Sequence, residues 1–155
     1  MDVVFLGVND VGIRIYDWLC ERETVDMRAM LTEPDQLELI RTEQPDLLVS
    51  VGFDHLVPEE IIEIPSRGAL NLHPSYLPYN RGKSPNVWPL VDGTPAGVTL
   101  HYMDAEFDTG DIVAQREVDT EFSDTGKELH TCLEDTQFEL FTETWPQIEA
   151  DEITP

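Results

Sequence analysis

Two stretches of this chain are almost unbroken apolar runs, each closed by a glycine. They are Val3-Val4-Phe5-Leu6 before Gly7, and Leu47-Leu48-Val49-Ser50-Val51 before Gly52. A strand with one wet face alternates apolar and polar residues. A run without that alternation is covered on both faces, as in a parallel sheet flanked by helices. Asp10 to Arg22 places Val11, Ile15, Trp18 and Leu19 at helical spacing. Asp26 to Thr32 reads as a second strand. Pro34 to Gln44 reads as a helix, with Leu37, Ile40 and Arg41 in register and Pro45 closing it. Pro58 to Ile64 predicts a short helix opened by proline, and Ala69 to His73 a further strand. The resulting order, β-α-β-α-β-α-β, predicts an α/β fold with a doubly wound, mostly parallel sheet.

The texture changes after residue 74. Pro74 to Pro85 is rich in Pro, Asn, Tyr and Gly, which marks a long ordered loop, and Asn86 to Val91 reads as a short helix. Gly97 to Met103 and Ile112 to Val118 alternate as two strands able to pair antiparallel in the C-terminal half. The turn between them holds Asp108-Thr109-Gly110-Asp111, with Gly110 suited to a positive φ. Asp124 to Glu143 predicts an amphipathic helix N-capped by Asp124, with Leu129, Cys132, Leu133 and Phe138 facing inward. With 155 residues, the chain reads as one domain over 1–150 and a tail over 151–155, the last ten residues looking like a short tail.

Nothing in the sequence resembles a signal peptide or a membrane span, so the expected location is cytoplasmic. The net charge is −23, from 32 acidic and 9 basic residues. Such a surface repels polyanions and disfavours unassisted nucleic-acid binding, and it suits a halophilic setting in which salt screens the charge. The two cysteines, Cys20 and Cys132, lie far apart in helix-like segments and are expected to be reduced, partly buried thiols.

Asn71 and His73 stand two apart on a strand and therefore share a face, at the carboxyl end where open α/β sheets bind ligands. Either they hold the Pro74–Pro78 turn by hydrogen bonds to its backbone, or they do chemistry. Asp108, in a tight turn after a strand, adds a carboxylate that could orient an imidazole and stabilise its charge. An amide donor, an imidazole and a carboxylate suit attack of an amine on a carbonyl carbon, with no Ser or Cys nucleophile. His101, on the strand leading to Asp108, reads as a partly buried sheet histidine. A metal site built from His73, His101 and Asp108 is not supported by the spacing, so no metal is expected. His130 and Cys132 diverge on their helix. Ser75 lacks a Gly-x-Ser-x-Gly elbow, which argues against a serine hydrolase.

The blocks Asn71-Leu72-His73-Pro74-Ser75-Tyr76-Leu77-Pro78, Arg81-Gly82 and Phe107-Asp108-Thr109-Gly110-Asp111-Ile112 resemble the signature of the folate-dependent formyltransferase family. The likeness runs over nearly the whole chain, in the family's order and with about its separation. It implies a Rossmann-like catalytic domain and 10-formyltetrahydrofolate as formyl donor. Asn71 and His73 would polarise the formyl oxygen, and Asp108 would orient or charge-stabilise His73. It also implies that the loop holding Phe53, His55, Leu56 and Val57 lines the pterin pocket, with the turn holding Met103 and Phe107 as the opposite wall. Some members place a histidine near the acceptor where His101 stands, so the resemblance implies an acceptor-binding role for His101 beside its reading as a sheet histidine. Arg81 and Lys83 would meet a phosphorylated acceptor or the folate tail, unless they are plain surface charges.

The sequence also departs from the family. The turn Gly7-Val8-Asn9-Asp10 lacks a phosphate cradle, and Asp10 would repel a phosphate, which argues against glycinamide ribonucleotide. The tRNA-binding domain of the methionyl-tRNA enzymes and the regulatory domain of the hydrolases are expected to be absent. The segment between the second strand and Leu47 is short, so part of the acceptor wall would have to come from elsewhere, a homodimer being one source. The expected function is formyl transfer to the amine of a small acceptor, with a sugar nucleotide as the nearest branch. The alternatives are a formyltetrahydrofolate hydrolase and a non-catalytic folate- or nucleotide-binding module.

Overall fold

The computed structural model describes residues 1–7, 9–77, 95–104, 110–119 and 126–152. In chain order these form β1 (Asp2–Leu6), α1 (Asp10–Cys20), β2 (Asp26–Leu31), a 3-10 turn (Pro34–Gln36), α2 (Leu39–Glu43), β3 (Leu47–Val51), α3 (Glu59–Ile62) and β4 (Ala69–His73). β5 (Ala96–Tyr102), β6 (Ile112–Val118) and α4 (Gly126–Glu149) follow. The sheet runs β2-β1-β3-β4-β5-β6. Its first four strands are parallel, and β4-β5-β6 are antiparallel neighbours. The α/β fold and the antiparallel strand pair are as the patterning predicts.

The two faces of the sheet are covered by different helices. Val3, Phe5, Leu47, Val49, Val51, Leu70, Leu72 and Leu100 pack on one side with Val11, Ile15 and Leu19 of α1 and with Phe141, Trp145 and Ile148 of α4. Ala96 and Val98 extend this layer over Leu129, Leu133 and Leu140. On the other side Val4, Leu6, Leu48 and Ala69 meet Leu37, Ile40, Ile61 and Ile62 from the α2 and α3 region. Trp18 of α1 meets Phe141 and Trp145 of α4 edge-on, each at 6.4 Å between centroids. Such contacts add about 0.5–1.5 kcal/mol per pair beyond area burial. α1 begins where the Asn9 side chain accepts a hydrogen bond from Gly12 N at 2.8 Å, which satisfies one of the helix's orphan donors.

Several local expectations are overridden. The segment 34–44 is broken into a 3-10 turn and the five-residue α2. The Gln36 side chain turns back to accept from Thr32 N and Glu33 N, a local cap that competes with continuous helix. α4 runs past Glu143 and through Pro146 to Glu149, so the last ten residues are not simply a tail. Proline costs one ladder bond there, but Trp145 and Ile148, at 1% and 3% exposed, bury on either side of it. Cys20 and Cys132 are exposed rather than partly buried, because Leu19, Leu129 and Leu133 take the inward positions on their helices. The expected helix at 86–91 and the Asp124 cap lie outside the described residues.

The C-terminal end of α4 is fastened by a residue far away in sequence. Arg67, just before β4, donates from Nη2 to the carbonyls of Ile148 at 2.7 Å and Glu149 at 3.0 Å. Carbonyls at a helix C-terminus carry the negative end of its dipole, and the Ile148 carbonyl also accepts from Asp151 N at 3.1 Å. Arg67→Met is expected to lower stability by about 1.5–3 kcal/mol, the range for hydrogen bonds to a charged donor. Urea unfolding checks this through a lower midpoint at unchanged slope.

Candidate active site

The strand β4 sorts its residues by face. Leu70 and Leu72, fully buried, point to the α1/α4 side. Period two then sends Ala69, Asn71 and His73 to the opposite side, where Ala69 joins the second core cluster. Asn71 is half-buried and His73 is 8% exposed. The structure thus brings both predicted residues to one face, beside the apolar layer held by α2 and α3.

The antiparallel pairing decides what they meet. Asn71 lies opposite His101, and His73 opposite Thr99. Asn71 Nδ2 is 3.2 Å from His101 Nε2, while His101 Nδ1 is 2.9 Å from the Tyr102 carbonyl oxygen. A carbonyl oxygen only accepts, so Nδ1 donates to it, and in that tautomer Nε2 accepts from the Asn71 amide. The amide is therefore held with its nitrogen toward His101. His101 itself is 1% exposed, within the sheet. Ser50, also buried, lies opposite Asn71 on β3. A polar row, Ser50–Asn71–His101, crosses three strands of a mostly apolar sheet.

The predicted folate-pocket residues divide. Phe53 is half-buried against the second cluster and meets His55 edge-on at 5.2 Å between centroids. His55 and Leu56 are exposed, Leu56 at 52%. Val57, 2% exposed, belongs to the core. Met103 packs partly buried on the same cluster as Phe53. Its backbone N donates to the carbonyl of Ala69 at 2.8 Å, at the amino end of β4. Phe53 follows the carboxyl end of β3. The two candidate walls therefore approach the Ala69–Asn71–His73 face from opposite ends of the strand, rather than both from its carboxyl edge.

Phe107, Asp108, Arg81 and Lys83 lie outside the described residues. The residues flanking the Asp108 turn are anchored: Met103 to Ala69, and Asp111 through its carbonyl to Tyr102 N at 2.8 Å. At Gly110 a Cβ would fall 1.6 Å from the Tyr102 carbonyl oxygen, so close approach alone demands glycine there. Of the remaining sequence candidates, Ser75 is buried, and His130 meets Glu134 at 3.1 Å on the surface of α4. Among the described residues no group of three His, Cys, Asp or Glu could hold a metal ion. Sequence reasoning passed over Ser50, Thr99 and Gln115, which occupy the polar side of the sheet beside Asn71 and His73. The available signal was Thr99, two residues before His101 and so on the same face of a buried strand.

The family described as formyl transferase matches residues 14–144. A methionyl-tRNA formyltransferase from Lachnospira eligens is 40% identical over 191 positions, covering all of this chain and 60% of its own length. One from Clostridium novyi is 37% identical over 128 residues, covering 82% of this chain and 41% of its own length. The chain thus spans about half the length of the curated relatives it matches. The formyltransferase PseJ from Anoxybacillus kamchatkensis was solved in complex with UDP-4,6-dideoxy-4-formamido-L-AltNAc and tetrahydrofolate. It superposes with a TM-score of 0.84 at 32% identity, over 99% of this chain and 79% of that one. A phosphoribosylglycinamide formyltransferase from Anaplasma phagocytophilum shares the fold, with a TM-score of 0.81 at 20% identity, over 99% of this chain and 87% of that one. With its sheet order, the polar face of β4 and these matches taken together, the chain belongs to the formyltransferase family.

Proposed function

We propose that the protein transfers a formyl group from 10-formyltetrahydrofolate to the amine of a small acceptor, with a sugar nucleotide as the acceptor class. The observation that carries this reading is the polar face of β4. Asn71, oriented by His101, stands two residues from the nearly buried His73, beside the apolar layer on which Phe53 and Met103 each pack from opposite ends of β4. A flat apolar ring could lie on this layer, with its polar end toward Asn71. The bound donor supplies an electrophilic formyl carbon. Asn71 would donate an amide N–H to the formyl oxygen as negative charge builds on it. His73 would share that charge and move the proton lost by the attacking amine to the departing nitrogen. Asp108 would balance the charge on His73. The sugar-nucleotide preference rests on PseJ, which matches 99% of this chain.

The test uses the purified protein, 10-formyltetrahydrofolate and a panel of amino-sugar nucleotides, with formylated product read by mass spectrometry. His73→Ala and Asp108→Asn are each expected to lower turnover by about 10²–10³-fold, the scale of losing one acid–base or oxyanion-stabilising group, with circular dichroism unchanged. Near-normal turnover in both variants overturns the assignment. Formate release that needs no amine identifies water as the acceptor and favours the hydrolase reading.

We assign the acidic surface to a high-salt cytoplasm, and the missing part of the acceptor wall to a second copy of the chain in a homodimer. Among the described residues no helix is long and apolar enough to cross a membrane. Arginines already serve as local neutralisers: Arg28 meets Asp26 and Glu43, Arg41 meets Glu38 and Glu60, and Arg116 meets Glu139 and Glu143. The remaining carboxylates repel one another. At about 1 M salt the screening length shrinks to roughly 3 Å and that repulsion fades. Tm is therefore expected to rise by several degrees as KCl is increased from about 0.1 M to about 1 M. A flat or falling Tm refutes the salt assignment.

A further inference from the structure

We propose that Thr99 and Gln115 act as positioning residues for His73, as a clamp across the sheet that fixes the backbone leaving β4. His73 is followed at once by Pro74, which has no N–H to continue the ladder. The next backbone groups must be satisfied in another way, and β5 and β6 do it. Thr99 lies opposite His73, and Gln115 lies opposite Thr99. Thr99 Oγ1 donates to the Ser75 carbonyl at 2.7 Å and accepts from Leu77 N at 3.2 Å. Gln115 Nε2 donates to the Leu77 carbonyl at 2.8 Å and to Thr99 Oγ1 at 3.0 Å.

A hydroxyl has one donor and two acceptor sites. At Thr99, which is completely buried, all three are used. Nothing in water could replace them, so the Ser75–Leu77 backbone has one satisfied position and His73 is tethered to it. Misplacing a reacting group by about 1 Å can cost about a hundredfold in rate. Leu77, 4% exposed, seats the far end of the segment in the core. The clamp contributes no group to the reaction and acts only through where it holds His73.

The inference rests on the role proposed for His73, so two of its three readouts need no turnover. Leu77 amide exchange, the His73 ring resonance and formyl transfer are measured in wild type, Thr99→Val, Thr99→Ser and Gln115→Leu. Thr99→Val keeps the shape and removes the hydroxyl. It is expected to speed Leu77 exchange at least about tenfold, as a buried hydrogen bond is lost, and to shift the His73 resonance. It should lower kcat by about ten- to a hundredfold with KM for the formyl donor within about twofold. Thr99→Ser restores all three, and Gln115→Leu shows the same pattern more weakly. Unchanged exchange and resonance in Thr99→Val, or no difference between Thr99→Val and Thr99→Ser, overturns the clamp. If Thr99→Val fails to fold, Gln115→Leu decides by the same two signals. An inactive wild type that still shows the exchange and resonance changes overturns the proposed reaction and leaves the clamp standing.

Discussion

The pairing of β4 with β5 is the constraint on which the site depends. Side chains alternate along a strand, so a slip of one residue would turn every side chain of β5 to the other face. In the observed register Leu72 faces Leu100 on one side of the sheet, while Asn71 faces His101 and His73 faces Thr99 on the other. The leucines make the register costly to change. Burying each fully contributes about 1.5–3 kcal/mol, and a slipped strand would place His101 against Phe141 and Trp145. Hydrophobic burial on one face thereby sets hydrogen-bond geometry on the other.

This separation explains how a mostly apolar sheet holds a polar row at its centre. α1 and α4 form a thick layer of aromatic and branched side chains over one face. The layer over the other face is thinner, built from short helices and the 3-10 turn. Asn71 and His73 open toward this thinner layer, and Phe53 and Met103 flank it from opposite ends of β4. Among the described residues several arginines are committed locally, Arg67 to the end of α4 and Arg28, Arg41 and Arg116 to neighbouring carboxylates.

What was legible in the sequence was what local pattern records. The unbroken apolar runs of β1 and β3 announce a parallel sheet, and the Leu-x-Leu of β4 places Asn71 and His73 together. The motif order carries the family. Less legible were features that depend on contacts between distant segments. Helix α4 passes through Pro146 because Trp145 and Ile148 find a core there, which no rule about proline anticipates. Arg67 reads as an ordinary surface charge until the end of α4 arrives beside it. His101 and Thr99 acquire their partners only through strand register. The approach of Met103 beside Ala69 follows from β5 running antiparallel, so the segment after β5 leaves from the amino end of β4.

The contact between the turns that follow β1 and β3 limits how this chain can vary. Gly52 has φ of 73°, and a Cβ there would fall 2.1 Å from Nδ2 of Asn9. Asn9 in turn supplies the cap that starts α1. Any side chain at position 52 therefore needs a smaller residue at position 9, and that residue must still cap α1, as a serine could and an alanine could not. A change at position 52 is tolerated only after such a change at position 9, so the two positions are bound as an epistatic pair with a fixed order of steps.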